Sequence, residues 1–282
     1  MTAFASISQI LEALTTSGEF EHVFYFMDAR IGAGAANANV IGRYQSLWTQ
    51  NQYPNGQGAA PGAVAVPTRT TAGALGQTNA AGGREKFLLG GSAVLNSSCS
   101  GSLVIYDRLL HISGFDGTLN TAQNVGGSLT RYTSATESKG NQIWVEVYTQ
   151  IGASGTTITA SYTNENGTAG RTTKAAAIGA TGLREAQRII PLALQDGDYG
   201  VSGVTSVTLA ATTGTAGNFG VTIARPLLTI PIGLANGGGS RDLLAGLPSI
   251  MAIKDDACIT AVFLPTATAA TQFFCQLSFA EN

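Results

Sequence analysis

The feature that most constrains this chain is the way its apolar segments are punctuated. Between Ser102 and Phe279 lie eight short runs dense in β-branched and aromatic residues: Ser102–Ile112, Gln142–Ile151, Thr156–Thr163, Gln187–Leu194, Val204–Ala211, Asn218–Ala224, Cys258–Leu264 and Gln272–Phe279. Gly, Asn, Asp and Pro separate them, and no alternating helices lie between. That pattern predicts an all-β fold, an antiparallel β-sandwich or jelly-roll-like domain. Residues Thr157–Thr173 show the local logic. Ile158, Ala160 and Tyr162 alternate with Thr157, Thr159, Ser161 and Thr163, the two-residue period of a half-buried strand. Asn164-Glu165-Asn166-Gly167 then supplies residues that tolerate the positive φ of a tight hairpin, and the return strand is expected from Thr168 or Ala169.

The N-terminal part reads differently. Phe4, Ile7, Leu11 and Leu14 are spaced three, four and three apart, with Ser6 and Gln9 as a capping box and Gly18 as a stop, which predicts a short amphipathic helix. Such a helix has two destinations, its own β core or a groove on an adjacent subunit. Glu21–Asp28 reads as a strand. Gly32 and Gly34 begin a dinucleotide-loop pattern, but Asn37 occupies the third glycine position and no helical period follows. Gln50–Gly83, with Pro54, Asn55-Gly56, Pro61 and Pro67, has no helical face and is expected as a long Gly/Ala/Pro-rich arm over neighbouring subunits or a flexible connector. The expected division is therefore helix, strand and extended arm over 1–84 and a β-sandwich domain over 85–282. Ser240–Leu247 ("SRDLLAGL") predicts one or two helical turns capped by Ser240.

Charge is scarce. Asp, Glu, Lys and Arg make up 11% of the 282 residues, against roughly 25% in an ordinary soluble domain. Tyr44–Gly83 holds one charged side chain, Arg69, and Tyr199–Ser240 holds one, Arg225. Small neutral side chains cost little desolvation and little rotamer entropy when covered, so such surfaces suit contact with neighbouring subunits. The formal net charge of −2 and the scattering of 15 Lys and Arg speak against a nucleic-acid partner. No segment approaches the ~20 apolar residues of a membrane helix. Residues 1–20 carry no charged, apolar leader pattern, so a chain kept in the cytoplasm is expected and the sequons at Asn96 and Asn166 are not expected to be modified. Cys99, Cys258 and Cys275 are odd in number and lack metal spacing, which predicts buried thiols.

The residues offer little chemistry. His22 and His111 sit inside strand patterns and form no metal pair. Gly-x-Ser-x-Gly and Gly-Lys-Ser/Thr are both missing. Asp196-Gly197-Asp198-Tyr199-Gly200 opens like a calcium loop but has Val207 where a bidentate Glu belongs, and so reads as a turn. Asp255 and Asp256 would face opposite ways on a strand. No catalytic, cofactor-binding or metal residue is assigned, and no enzyme is expected. A glycosidase-like acid pair assembled by the fold from the 17 acidic residues stays open.

"GSLVIYDRLLHISGFDG" (Gly101–Gly117), "GGSLTRY" (Gly126–Tyr132), "REAQRIIPLALQDGDYGV" (Arg184–Val201) and "TLAATTGTAGNFGVTIARPL" (Thr208–Leu227) together resemble virion structural proteins of tailed bacteriophages. The resemblance spans roughly Arg84 to the C-terminus and rests on texture. It implies a capsid decoration or cement protein, or a minor capsid protein, located in the virion and assembled in the host cytoplasm. Its partners would be copies of itself, trimeric by analogy, and the major capsid protein. The interface residues expected on that reading are Phe4, Ile7, Leu11, Leu14, Trp48 and Tyr53. The alternative is a receptor- or carbohydrate-binding β-sandwich of a tail or surface protein, with Trp48, Tyr53, Trp144 or Tyr199 as stacking platforms. Trp144, which alternates with valines on a strand, is expected in the core.

Overall fold

The computed structural model describes residues 7–16, 19–27, 39–50, 52–53, 55–96, 98–243 and 251–282. Along the chain come α1 (Ile7–Thr15), β1 (Phe20–Met27), β2 (Gln45–Ser46), β3 (Gln52–Tyr53), β4 (Lys86–Leu95) and β5 (Gly101–Phe115). β6 (Gln123–Asn124), β7 (Gln142–Thr149), β8 (Thr156–Asn164), β9 (Arg171–Thr172), β10 (Ala176–Ile178) and β11 (Ile189–Leu192) follow. The remaining strands are β12 (Val201–Leu209), β13 (Asn218–Ile232), β14 (Gly238–Asp242), β15 (Met251–Ile253), β16 (Ile259–Pro265) and β17 (Phe273–Glu281). The fold is all-β as expected, and each strand pairing among the described residues is antiparallel.

Three sheets form. A central sheet runs β11-β7-β13-β5-β16-β2. A terminal sheet, β14-β4-β17-β1-β3 with β15 also on β4, brings the first and last strands together. A hairpin sheet runs β10-β8-β12-β6, with β9 on β8.

β5 and β13, each of 15 residues, link two cores. Their first and second halves, read along β5, pack differently. Leu103 and Ile105 join Leu228, Ile230 and Ile232 of β13 against the terminal sheet's Tyr25, Cys275, Leu277 and Phe279. Leu109, Leu110 and Phe115 join Phe219, Val221 and Ile223 against the hairpin sheet's Ile158, Tyr162, Val204 and Val207. The β13–β5 ladder shifts register between Ile223 and Ala224 and between Pro226 and Leu228, where one core gives way to the other. Pro226 and Pro231 fall in the half of β13 that has left β7, whose pairing ends at Ala224, so neither proline interrupts a second ladder.

The hairpin forms as its residues dictate. Gly167 takes φ +79°, and the Asn164 Oδ1 accepts from the backbone N–H groups of Asn166 and Thr168 at 3.1 and 2.9 Å. The return strand starts later than expected, at Arg171. All three cysteines are buried and none forms a disulfide.

Two local expectations give way to tertiary pairing. β4 ("KFLLGGSAVL") carries paired glycines that mask it as a strand. A Cβ on Gly90 would sit 2.5 Å from the Arg241 carbonyl oxygen, and one on Gly91 would sit 2.7 Å from Leu277 Cδ2, so these positions admit β14 and β17. Ser240, Arg241 and Asp242, read as the start of a helix, are instead β14, laddered to Gly90–Ser92. The edge of β4 takes their backbone groups, and Leu243 is buried in the core behind it. Residues 244–247 of that expected turn lie outside the described residues.

In its described part the arm, expected over neighbouring subunits or as a flexible connector, is bonded to its own chain. After β2 pairs with β16, it lies along the central sheet. Ala65 exchanges backbone hydrogen bonds with His111 at 2.9 Å, Ser113 N–H donates to the Pro61 carbonyl at 2.9 Å, and Leu75 N–H donates to Ile259 at 2.7 Å.

Candidate functional site

Beneath the arm lies a cluster of charged groups that the chain has sealed off. Arg108 (β5) is fully buried and its guanidinium donates four hydrogen bonds. Nη2 donates to Glu146 Oε2 at 2.5 Å and to the Tyr148 hydroxyl at 2.6 Å, Nη1 to the Tyr106 hydroxyl at 3.1 Å, and Nε to His111 Nδ1 at 2.9 Å. Glu146 (β7) also accepts from Ser46 at 2.5 Å, Thr222 at 3.1 Å and Tyr148 at 2.9 Å. At the neighbouring residue of β5, Asp107, Arg131 from the segment between β6 and β7 makes two bonds of 3.0 and 2.9 Å and also reaches the Pro67 carbonyl of the arm at 3.1 Å. Trp48, at the start of the arm, stacks on Arg108 with 4.4 Å from guanidinium carbon to ring centroid, meets the His111 ring edge-on at 5.3 Å, and donates Nε1–H to the Ala59 carbonyl at 2.8 Å. A Cβ on Gly58 would lie 2.5 Å from the indole, so only glycine lets the arm close over it. At the far end, Lys86 donates to the Thr78 carbonyl at 2.6 Å and to Glu21 at 2.7 Å.

The electrostatics describe a clamp. Burial opposes the charge on Arg108, yet Glu146 and the tyrosine hydroxyls outweigh it and hold the guanidinium's pKa above its ordinary value. Burial first, and then the charge of Arg108, drive His111 down to about 2, so the imidazole is neutral and its Nδ1 accepts. Burial likewise raises Tyr148 and Cys258. With Arg108 at 0% and Glu146 at 1% exposure, no substrate reaches these groups. The acids here hold cations and the arm in place; they do not form a separated acid pair facing solvent. Among the described residues no group of three or more His, Cys, Asp or Glu is placed to hold a metal ion, and no helix is long and apolar enough to cross a membrane.

The outer face of the terminal sheet is the opposite case. α1 covers one end of it, where Ala13 packs with Phe87, Leu89 and Ala280. The other end is bare. Phe24 and Phe274 stand 5.9 Å apart, 50% and 43% exposed, and Val94, the cross-strand partner of Phe274, is 48% exposed. Between the covered and bare ends runs a polar strip, where Gln276 and Ser278 meet His22 Nδ1 at 2.8 and 3.1 Å and Arg241 and Asp242 stand beside them. On α1 itself, Leu11 and Leu14 face solvent while Ile10 and Ala13 are buried.

A third exposed feature is the turn Asp196–Gly200, whose Tyr199 side chain is 70% exposed. Asp198 anchors it, accepting from Arg171 at 2.9 and 3.1 Å, Asn164 at 2.8 Å and Tyr162 at 2.5 Å. The Arg171 bonds are the main reason its carboxyl is lowered to about 2.

Of the expected interface residues, Leu11 and Leu14 lie on the surface. Phe4 and the side chains of Ile7 and Tyr53 fall outside the described residues, although the Tyr53 backbone pairs with Phe26. Trp48, 1% exposed, has no surface to offer a partner, and neither it nor Trp144, 4% exposed, is a stacking platform. Arg108, Glu146, Asp107 and Arg131 were not singled out from sequence. Their signal is a charged residue inside an apolar strand, as in "LVIYDRLLHI" and "QIWVEVYT", which demands a buried partner. Phe24 and Phe274 carry no comparable signal, since a bare aromatic and a covered one look alike in sequence.

No family model and no curated protein matches the chain. Among solved structures it is similar to a chain of the structure of infectious bursal disease virus Gt strain, with 10% identity, 98% of this chain and 86% of that chain covered, and a TM-score of 0.19. It is also similar to a chain of the infectious bursal disease virus VP2 subviral particle, with 9% identity, 93% and 80% covered, and a TM-score of 0.19. At that TM-score the likeness to these viral particle proteins carries no argument about fold or function.

Proposed function

We propose that this chain is a non-catalytic structural subunit of a virus particle, of the decoration, cement or minor-capsid type found on tailed-bacteriophage heads, stabilising the shell by subunit–subunit contact. The observation that carries the reading is the bare end of the terminal sheet. Large contiguous apolar exposure on a soluble domain marks a surface that another protein covers. Phe24, Phe274 and Val94 lie on one side of the polar strip, and α1 with Leu11 and Leu14 lies on the other. Phe24, Phe274, Val94, Leu11, Leu14, Gln276 and Ser278 carry no formal charge, while Glu12 on α1 and the oppositely charged Arg241 and Asp242 bring charge of both signs beside them. With apolar side chains at its bare end and charges of both signs at its margin, such a surface suits its own copy, so a second copy is the partner assigned to it, with the shell engaged by the resulting oligomer. Repetition around a shell multiplies modest contacts into avidity.

Light scattering on the purified full chain, from micromolar to near-millimolar concentration, tests this. A discrete homo-oligomer is expected, dissociating in the variant Phe24→Ser/Phe274→Ser while the fold persists. A chain that stays monomeric throughout that range contradicts the reading.

A further inference from the structure

The turn that carries Tyr199 is built more firmly than a solvent loop requires. Its backbone is held on both sides: Glu165 Oε2 accepts from the N–H groups of Tyr199 and Gly200 at 3.2 and 3.1 Å, and the Tyr199 carbonyl accepts from Gly140 N–H at 2.8 Å. Glu165 is itself buried, and Asp198 beneath the turn has its carboxylate saturated. Gly200 lies so close to the 138–139 backbone that a Cβ there would fall 2.0 Å from the Ser138 carbonyl oxygen. The ring nonetheless contributes nothing to the core. Holding the backbone fixes where the ring projects, which lowers the cost of ordering it against a ligand, although the ring keeps its own rotamer freedom until then.

The ring borders a groove of about 500 Å³ whose walls include Asn141, Gln142, Pro191, Gln195 and Asp196. That volume lies within the range of ~300–1,000 Å³ common to small-ligand clefts. The Trp144 indole N–H fixes the Gln142 carbonyl oxygen at 2.9 Å, so one amide wall is oriented in advance. Gln195 is exposed, and its backbone N–H is anchored on the Tyr162 hydroxyl at 2.9 Å. Asp196 is 89% exposed and pairs with Lys174, which stands outside the groove, at 2.6 Å, and among the described residues no Lys, Arg or His lines the groove.

This combination selects a ligand class. A phosphorylated or acidic ligand would face Asp196 with no free cation to receive it. A purely apolar ligand would leave the amide walls without partners. A neutral pyranose ring satisfies both constraints, since one C–H face stacks on an aromatic ring while its equatorial hydroxyls reach amide and carboxylate groups at the edge. We propose that the groove between β11 and the Asp196–Gly200 turn is a binding site for a neutral oligosaccharide, with Tyr199 as the stacking platform. The site is separate from the bare face of the terminal sheet and does not depend on the subunit role.

The test is saturation-transfer NMR on the full chain with cellohexaose, maltohexaose and chitohexaose as probes. At least one is expected to receive saturation on its ring protons. Tyr199→Ala is expected to weaken that binding by roughly tenfold, Tyr199→Phe to retain it, and Gln142→Ala to give an intermediate loss. Thermal melts establish that the variants fold. Saturation of none of the three probes overturns the proposal, as does equal binding by wild type and Tyr199→Ala. Either outcome leaves the oligomer measurement untouched, so the two readings fail separately.

Discussion

The outer face of the terminal sheet and the arm-covered side of the central sheet reverse the usual arrangement of a soluble protein. The central sheet carries Arg108, Glu146, His111 and Asp107, and all are buried. The terminal sheet carries Phe24, Phe274 and Val94, and all are exposed. The arm accounts for the difference. Among the described residues of the arm, Trp48 stacks on Arg108, Pro67 accepts from Arg131, and Ala59, Pro61 and Ala65 bond to Trp48, Ser113 and His111, whereas the bare end of the terminal sheet has no such cover among the described residues. One face is closed from within the chain, and the other, on the function proposed above, receives a second molecule. A buried ion pair is weak evidence for stability, and here its consequence is geometric: it fixes where the arm can lie.

The largest expected effect comes from breaking the sealed face. Glu146→Ala leaves Arg108 charged and unpaired in a dry site, which should cost about 3–5 kcal/mol in urea denaturation and expose residues 50–77 to protease. The same truncation at exposed Asp196 should cost less than about 1 kcal/mol, the difference being burial.

Next comes acid. The native His111 sits near 2 and the unfolded imidazole near 6.5, so the unfolded chain takes up a proton as pH falls through 6.5 and the native chain does not. Stability from this group is complete above pH 6.5 and should fall by about 1.4 kcal/mol per pH unit below it. His111→Gln should start from a lower stability but show a shallower slope between pH 6.5 and 4.5, and an unchanged slope would contradict the assignment.

Gly58→Ala sharpens the role of the arm. The added methyl meets the Trp48 indole, and overpacking of this kind costs about 1–3 kcal/mol, read as a lowered urea midpoint. Phe24→Ser/Phe274→Ser should move stability least, within about 1 kcal/mol, because both rings are already half in water. Its effect belongs to association.

The strands were legible because β-branched alternation and turn residues report backbone geometry directly, as in Thr157–Thr163 and Asn166-Gly167. β4 was hidden because Gly90 and Gly91 are dictated by the close approach of β14 and β17, which are distant in sequence. Ser240–Asp242 looked helical for a matching reason: local spacing is silent about a ladder 150 residues away. The arm's low charge was read as a surface for neighbours, yet its Gly and Ala serve close packing on Trp48. The helix stripe Leu11 and Leu14 was legible, but its outward orientation depends on which residues α1 meets on Phe87 and Ala280.

The most direct test of the contrast between the two faces is hydroxyl-radical footprinting of the full chain, dilute and concentrated. Phe24 and Phe274 should oxidise in the dilute protein and lose reactivity on association, while Trp48, an intrinsically more reactive indole, stays silent in both. Oxidation of Trp48 in the dilute protein, or Phe24 and Phe274 equally reactive before and after association, would contradict the account.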